Sequence, residues 1–174
     1  MKFLESQPGK SLAGRLARSG VVAAMYIVLC LITPFTLSFG PIQFRIAEAL
    51  MLLPLLTLDA IPGLFVGCFL ANLLGGGVWF DVVLGSIATL LAAVFAYEWR
   101  NKPLLAAFSP VLFNGLIVGP VVYFAYVHAP GTPVSITTLL FNMSTVAVGE
   151  LGVCYLLGLP LYYGLKRLPE NIFE

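Results

Sequence analysis

The chain has 174 residues, 60% hydrophobic and only 10% charged, with a mean hydropathy of +0.99 and a formal net charge of +1. A soluble domain carries about 25% charged residues, so this composition excludes one and specifies an integral membrane protein. The near-neutral balance offers no attraction for nucleic acid or for an acidic partner, and the length suits about six tightly connected spans of about 20 residues.

The expected organisation is one integral membrane domain over 1–174: a basic N-terminal segment (1–19), an all-α six-helix bundle (20–165) and a short tail (166–174). Residues 1–19 carry Lys2, Lys10, Arg15 and Arg18, and residues 20–39 are uncharged, forming span one. That run is long and lacks a small-residue cleavage site, so it reads as a retained helix, not a removed signal peptide. Ala13, Ala17, Gly20 and Ala24 recur at intervals of four and three, a small-residue face that lets another helix come close within lipid. Internal packing and partner docking both use such a face.

Span two (43–57) and span three (60–74) are short and are joined by a turn containing Asp59, Pro62 and Gly63. About 15 residues at 1.5 Å each reach roughly 22 Å, less than the ~30 Å hydrocarbon core. Paired short segments line binding sites in transporters; one re-entrant hairpin fits the pattern equally. Span two carries Arg45 and Glu48, which share one side of a helix at a spacing of three. An ionisable group at the bilayer centre costs roughly 2.5–3.5 kcal/mol, so that side faces a partner, a cavity or a substrate rather than lipid.

After a turn at Gly75, Gly76 and Gly77, span four (78–97) begins near Asp81, and a charged loop follows at 98–103. Span five (104–127) holds Asn114, Gly115, Gly119 and Pro120, where the missing proline donor predicts a kink. Span six (138–163) contains Asn142 and Glu150 and is followed by Lys166 and Arg167. With both termini cytoplasmic, eight of the nine basic residues fall on the inside and Arg45 alone falls outside, as the positive-inside rule requires. The same rule allows four spans plus a hairpin.

On that topology Gln43, Arg45, Glu48, Asn72, Asp81 and Asn142 lie in the outer half, with Asn114 and Glu150 near mid-membrane. A pocket opening outward explains the one-sidedness; structural ion pairs and amides bonded to exposed carbonyls are the alternative for any single residue. Cys30, Cys68 and Cys154 stand singly in apolar runs, as buried small side chains with no metal site or redox pair. His128, the one histidine, lies in a loop without a catalytic companion, and no phosphate-binding glycine loop is present. No cofactor is implied, and active transport would draw its energy from another chain.

Three stretches carry a family resemblance: Ile42-Gln43-Phe44-Arg45-Ile46-Ala47-Glu48-Ala49-Leu50, then Ile61-Pro62-Gly63 through Asn72-Leu73, then Asp81-Val82-Val83-Leu84-Gly85. Together with Val148-Gly149-Glu150 they make the chain resemble the queuosine-precursor transporter (QueT) family, substrate-binding S-components of energy-coupling factor (ECF) transporters. The resemblance implies six helices in the cell membrane and no ATPase of its own. It implies capture of a 7-deazaguanine base or queuine from outside, with a transmembrane coupling subunit and two cytosolic ATPases as partners. It also implies docking through the first helix, matching Ala13, Ala17, Gly20 and Ala24.

A guanine-like edge presents adjacent N–H donors to a carboxylate and a carbonyl to an amide or guanidinium. Glu48 or Glu150 is the expected base-reading carboxylate, with Gln43, Asn72 or Asn114 on the carbonyl and ring nitrogens. Arg45 holds a carboxylate in place, Asp81 meets a cationic aminomethyl substituent, and Phe44, Trp79 and Phe80 are candidates to stack on the ring. The rival readings are a membrane-embedded enzyme acting on a lipid or isoprenoid, and a proton-driven carrier using Glu150.

Overall fold

The computed structural model describes residues 11–33 and 44–168. Every regular element among them is helical. Helix α1 (Leu12–Ile32) starts where the Ser11 side chain accepts a hydrogen bond from the Gly14 amide at 3.1 Å, which satisfies one of the open donors of a first turn. It therefore begins eight residues before the uncharged run and brings Arg15 and Arg18 into the helix. It stops at extended Thr33, the residue before Pro34, where proline disfavours helical backbone.

The second element departs most from expectation. Residues Ile46–Leu55 form a 3₁₀ helix, α2, buried from Ala47 to Pro54. Runs of this length are uncommon for 3₁₀ geometry, which rises about 2.0 Å per residue against 1.5 Å in an α-helix. The tighter winding takes ten residues roughly 20 Å, further than the same residues would reach as α-helix. It also eclipses positions three apart, so Glu48, Met51 and Pro54 stack in one column, continued at its N-terminal end by Arg45. Helix α1 and the later helices over residues 81–98 and 136–165 pack around it.

Helix α3 (Ala60–Leu74) has the bounds expected from the sequence. It meets α1 through Gly63 and Gly67, where an added Cβ would lie 2.6 Å from the Ser19 carbonyl oxygen and 2.8 Å from Tyr26 Cβ. This close approach needs glycine on α3 and is the small-residue packing that membrane helices favour. Helices α4 (Asp81–Glu98), α5 (Pro103–Val127) and α6 (Ile136–Leu165) complete the bundle. Gly119 of α5 touches the Met143 backbone of α6 in the same manner, with 2.6 Å left for a Cβ.

Helices α1, α4, α5 and α6 are long and apolar enough to cross a membrane, whereas α2 and α3 are shorter apolar helices. Large apolar side chains such as Val21, Val28, Leu116, Phe141 and Leu156 lie exposed on the outside, the surface a bilayer covers. The break foreseen at Gly119 and Pro120 takes the form of wide π turns on both sides, at Asn114–Val118 and Tyr123–Val127. Two more occur at Asp81–Gly85 and Cys154–Gly158. Such turns gather at functional sites, and here three of the four begin at Asp81, Asn114 and Cys154, all buried polar or thiol residues.

Candidate functional site

The central 3₁₀ column carries Arg45 and Glu48, 4% and 1% exposed, into the middle of the bundle. Each meets a different set of partners. Arg45 Nη2 lies 3.5 Å from Asp81 Oδ2, and the Tyr126 hydroxyl reaches the same oxygen at 3.4 Å. Asn72 Nδ2 donates to the Asp81 backbone carbonyl at 3.3 Å and lies 3.5 Å from Cys68 Sγ, which also accepts from Thr89 Oγ1 at 3.2 Å. Gly85 makes room for this half of the site: an added Cβ there would lie 3.2 Å from Asn72 Nδ2 and 3.3 Å from Asp81 Oδ1.

The second half surrounds Glu48. The Tyr26 hydroxyl, fully buried on α1, donates to Glu48 Oε1. Asn114 Nδ2 donates to Glu150 Oε1 at 2.8 Å. Cys154 Sγ bridges the two glutamates, 3.7 Å from the Glu48 carbonyl oxygen and 3.9 Å from Glu150 Oε2. Phe44 packs over Gly152, where a Cβ would meet its ring edge at 3.6 Å.

Arg45, Glu48, Asn72, Asp81, Asn114 and Glu150 are thus all buried, distributed over two adjoining polar clusters that meet at α2. Burial of this many polar groups is costly unless they find hydrogen-bond partners. Glu48 Oε2, Asn72 Oδ1, Asp81 Oδ1 and Asn114 Oδ1 have none among the described residues. Asn142 serves its own helix, donating to the Thr138 carbonyl at 2.8 Å. Gln43 lies outside the described residues. Trp79 and Phe80 are 65% and 66% exposed; Phe80 lines an outer apolar hollow of about 320 Å³ with Leu84, Ile117 and Phe124.

A separate ion cluster ties α1 to the turn before α3. Arg15 Nε and Arg18 Nε reach the two oxygens of Asp59 at 3.0 and 2.8 Å, and Ser19 Oγ donates to the Asp59 carbonyl at 2.7 Å. Burial alone would raise the Asp59 carboxyl, but the hydrogen bonds and charges of Arg18 and Arg15 outweigh it and hold the group below its ordinary range.

The sequence profile described as "QueT transporter" matches residues 16–167. The chain belongs to that family. It is therefore a multi-pass membrane protein of a transporter family. A curated relative from Lactococcus lactis subsp. cremoris (strain MG1363), named "Queuosine precursor transporter QueT", is 37% identical over 73 residues. The similar region covers 41% of this chain and 42% of that protein. No solved structure matches the chain.

Within this QueT-family chain, Tyr26, Cys68, Thr89, Tyr126 and Cys154 join the site although sequence reasoning had not placed them there. The cysteines are buried as expected, but two of them hold the polar cluster together. A signal for Tyr26 was available. Ser19, Tyr26 and Thr33 recur every seven residues, marking a polar line along the inner face of α1, and a buried tyrosine hydroxyl requires a partner.

Proposed function

We propose that this chain is the substrate-binding S-component of an ECF-type importer, taking a queuosine precursor of the 7-deazaguanine class, or queuine, from outside the cell. The observation that carries this reading is the set of four buried, unpartnered oxygens on Glu48, Asn72, Asp81 and Asn114. They are acceptors awaiting donors, and a guanine-like edge supplies an N–H and an exocyclic amine side by side. Glu48 reads that edge, with Tyr26 fixing its other oxygen; Arg45 donates to the ring carbonyl side; Glu150 positions Asn114. The name of the Lactococcus lactis relative supports the substrate class.

In this reading six helices cross the membrane with both termini in the cytoplasm, and the ATPase activity belongs to two partner subunits. Docking to the coupling subunit uses α1. Ala13, Ala17, Gly20 and Ala24 are all exposed, and nothing lies within 4 Å of a Cβ placed on Gly20. The internal contacts of α1 fall on its other face, at Ser19, Val22, Ala23 and Tyr26, which favours docking over internal packing.

The test is a titration of the purified chain with 7-deazaguanine bases, in wild type and Glu48→Gln. A hydrogen bond to a charged group is worth about 1.5–3 kcal/mol, so the variant is expected to bind roughly 10- to 100-fold more weakly. Unchanged affinity would remove Glu48 from the pocket. Copurification with a coupling subunit and two ATPases checks the assembly, and substrate accumulation by vesicles holding this chain alone would overturn it.

A further inference from the structure

Among the described residues, the side chains that hydrogen-bond within the two polar clusters are at most 5% exposed, except Tyr126 of α5, at 38%. Its hydroxyl accepts from the Val78 amide and donates to Asp81 Oδ2, both at 3.4 Å, long for either kind of bond. Asp81 and Tyr126 each lie in a wide π turn, Asp81–Gly85 and Tyr123–Val127. Next to them the helices leave the apolar hollow of about 320 Å³, with Phe80 and Leu84 on the α4 side and Pro120, Val121 and Phe124 on the α5 side. Here the buried cluster is joined to the surface by one hydroxyl, beside a space that closer packing would fill.

The cost of opening separates this bond from the others. Parting Tyr26 from Glu48, or Asn114 from Glu150, strands groups at most 5% exposed, at the full desolvation penalty. Parting Tyr126 from α4 strands none: the hydroxyl and Val78, 38% and 40% exposed, can turn to water, and Asp81 Oδ2 keeps Arg45. We infer that Tyr126 is a latch, and that the Asp81 half of the cluster opens to the surface of the bundle between α4 and α5 when it releases. Opening frees the Tyr126 hydroxyl from Val78 and Asp81, and the hollow gives the two helices room to move. The inference goes beyond the substrate class proposed above and does not rest on it.

Cys68 is a built-in reporter. It is fully buried behind Asn72, with Asn72 Nδ2 at 3.5 Å. Cys154, also fully buried, packs with Leu52, Ala106 and Tyr162 in a different part of the core and serves as the control. The experiment treats the purified full-length chain with methyl methanethiosulfonate, a small uncharged thiol reagent, and follows each cysteine by peptide mass spectrometry. Tyr126→Phe keeps the ring and removes the hydroxyl. It is expected to speed Cys68 labelling roughly tenfold, the lower end of what a hydrogen bond to a charged group contributes, with Cys154 labelling at the wild-type rate. Ala125→Leu, which adds bulk to the hollow, is expected to slow Cys68 labelling below wild type. An unchanged Cys68 rate in Tyr126→Phe, an equal rise at Cys154, or no slowing in Ala125→Leu overturns the latch. The labelling needs no ligand, so its result stands apart from whether 7-deazaguanine bases bind.

Discussion

Asp59 and Asp81 are both buried aspartates, 5% and 0% exposed, and both face arginine, yet they are finished to different degrees. Asp59 has a guanidinium nitrogen on each oxygen, at 3.0 and 2.8 Å. Asp81 has one oxygen shared at 3.5 and 3.4 Å and the other without a protein partner. A carboxylate with its hydrogen-bonding capacity filled fastens helices together. One left half-filled at full burial keeps an acceptor open to a further donor.

The contrast is broken most directly at Asp59. Arg15 and Arg18 keep 49% and 27% of their side-chain surface exposed, so the clamp lies between an exposed pair, worth at most about 1 kcal/mol, and a buried one, worth about 3–5 kcal/mol when broken. Asp59→Ala should therefore cost about 2 kcal/mol of stability, seen as a lower thermal midpoint in detergent, while ligand affinity stays at the wild-type level. A large affinity loss with an unmoved midpoint would reverse the roles assigned to the two aspartates.

Acid gives a gentler test. Because the folded Asp59 carboxyl titrates below its ordinary range, its contribution is complete above the unfolded value of about 3.9 and disappears as pH falls through the folded value. The difference in midpoint between wild type and Asp59→Asn should stay constant from about pH 7 to pH 5 and shrink below about pH 4. A difference that shrinks already near neutral pH would show that the stabilisation comes from some other group.

The smallest expected change sharpens the other side of the comparison. Replacing a helical glycine by alanine gains roughly 0.5–1 kcal/mol, and the tight 3.2 and 3.3 Å contacts at Gly85 offset it. Gly85→Ala should thus leave stability within about 1 kcal/mol of wild type while affinity for the proposed 7-deazaguanine base falls. Melting curves and titrations on one preparation separate the two quantities.

Much of the site was legible because charge in an apolar run is conspicuous. Arg45, Glu48, Asn72, Asp81, Asn114 and Glu150 stood out by residue type, and all six are buried here. Their spacing in span two was read on an α-helix; the i, i+3 relation survives because 3₁₀ geometry aligns those positions more strictly still. The 3₁₀ winding itself was not legible, since it is a tertiary outcome of a short segment enclosed by longer helices. Likewise Gly63 and Gly67 acquire their meaning only from the α1 backbone lying against them, and the differing burial of Phe44, half-buried, and of Trp79 and Phe80, both exposed, could not be read from residue type. The expected outward-facing pocket rests on topology, and the sorting of basic residues remains its support.

The close glycine contact between α1 and α3 has a mechanical consequence. With no side chains to cushion the crossing, α1 cannot slide or roll against α3 without backbone collision, so it moves as a stiff rod. One side of that rod delivers the Tyr26 hydroxyl to Glu48, and the opposite side bears the exposed Ala17, Gly20 and Ala24. A push on the outer side therefore arrives at Glu48 after crossing a single helix, about 10 Å, with no relay of loops to absorb it.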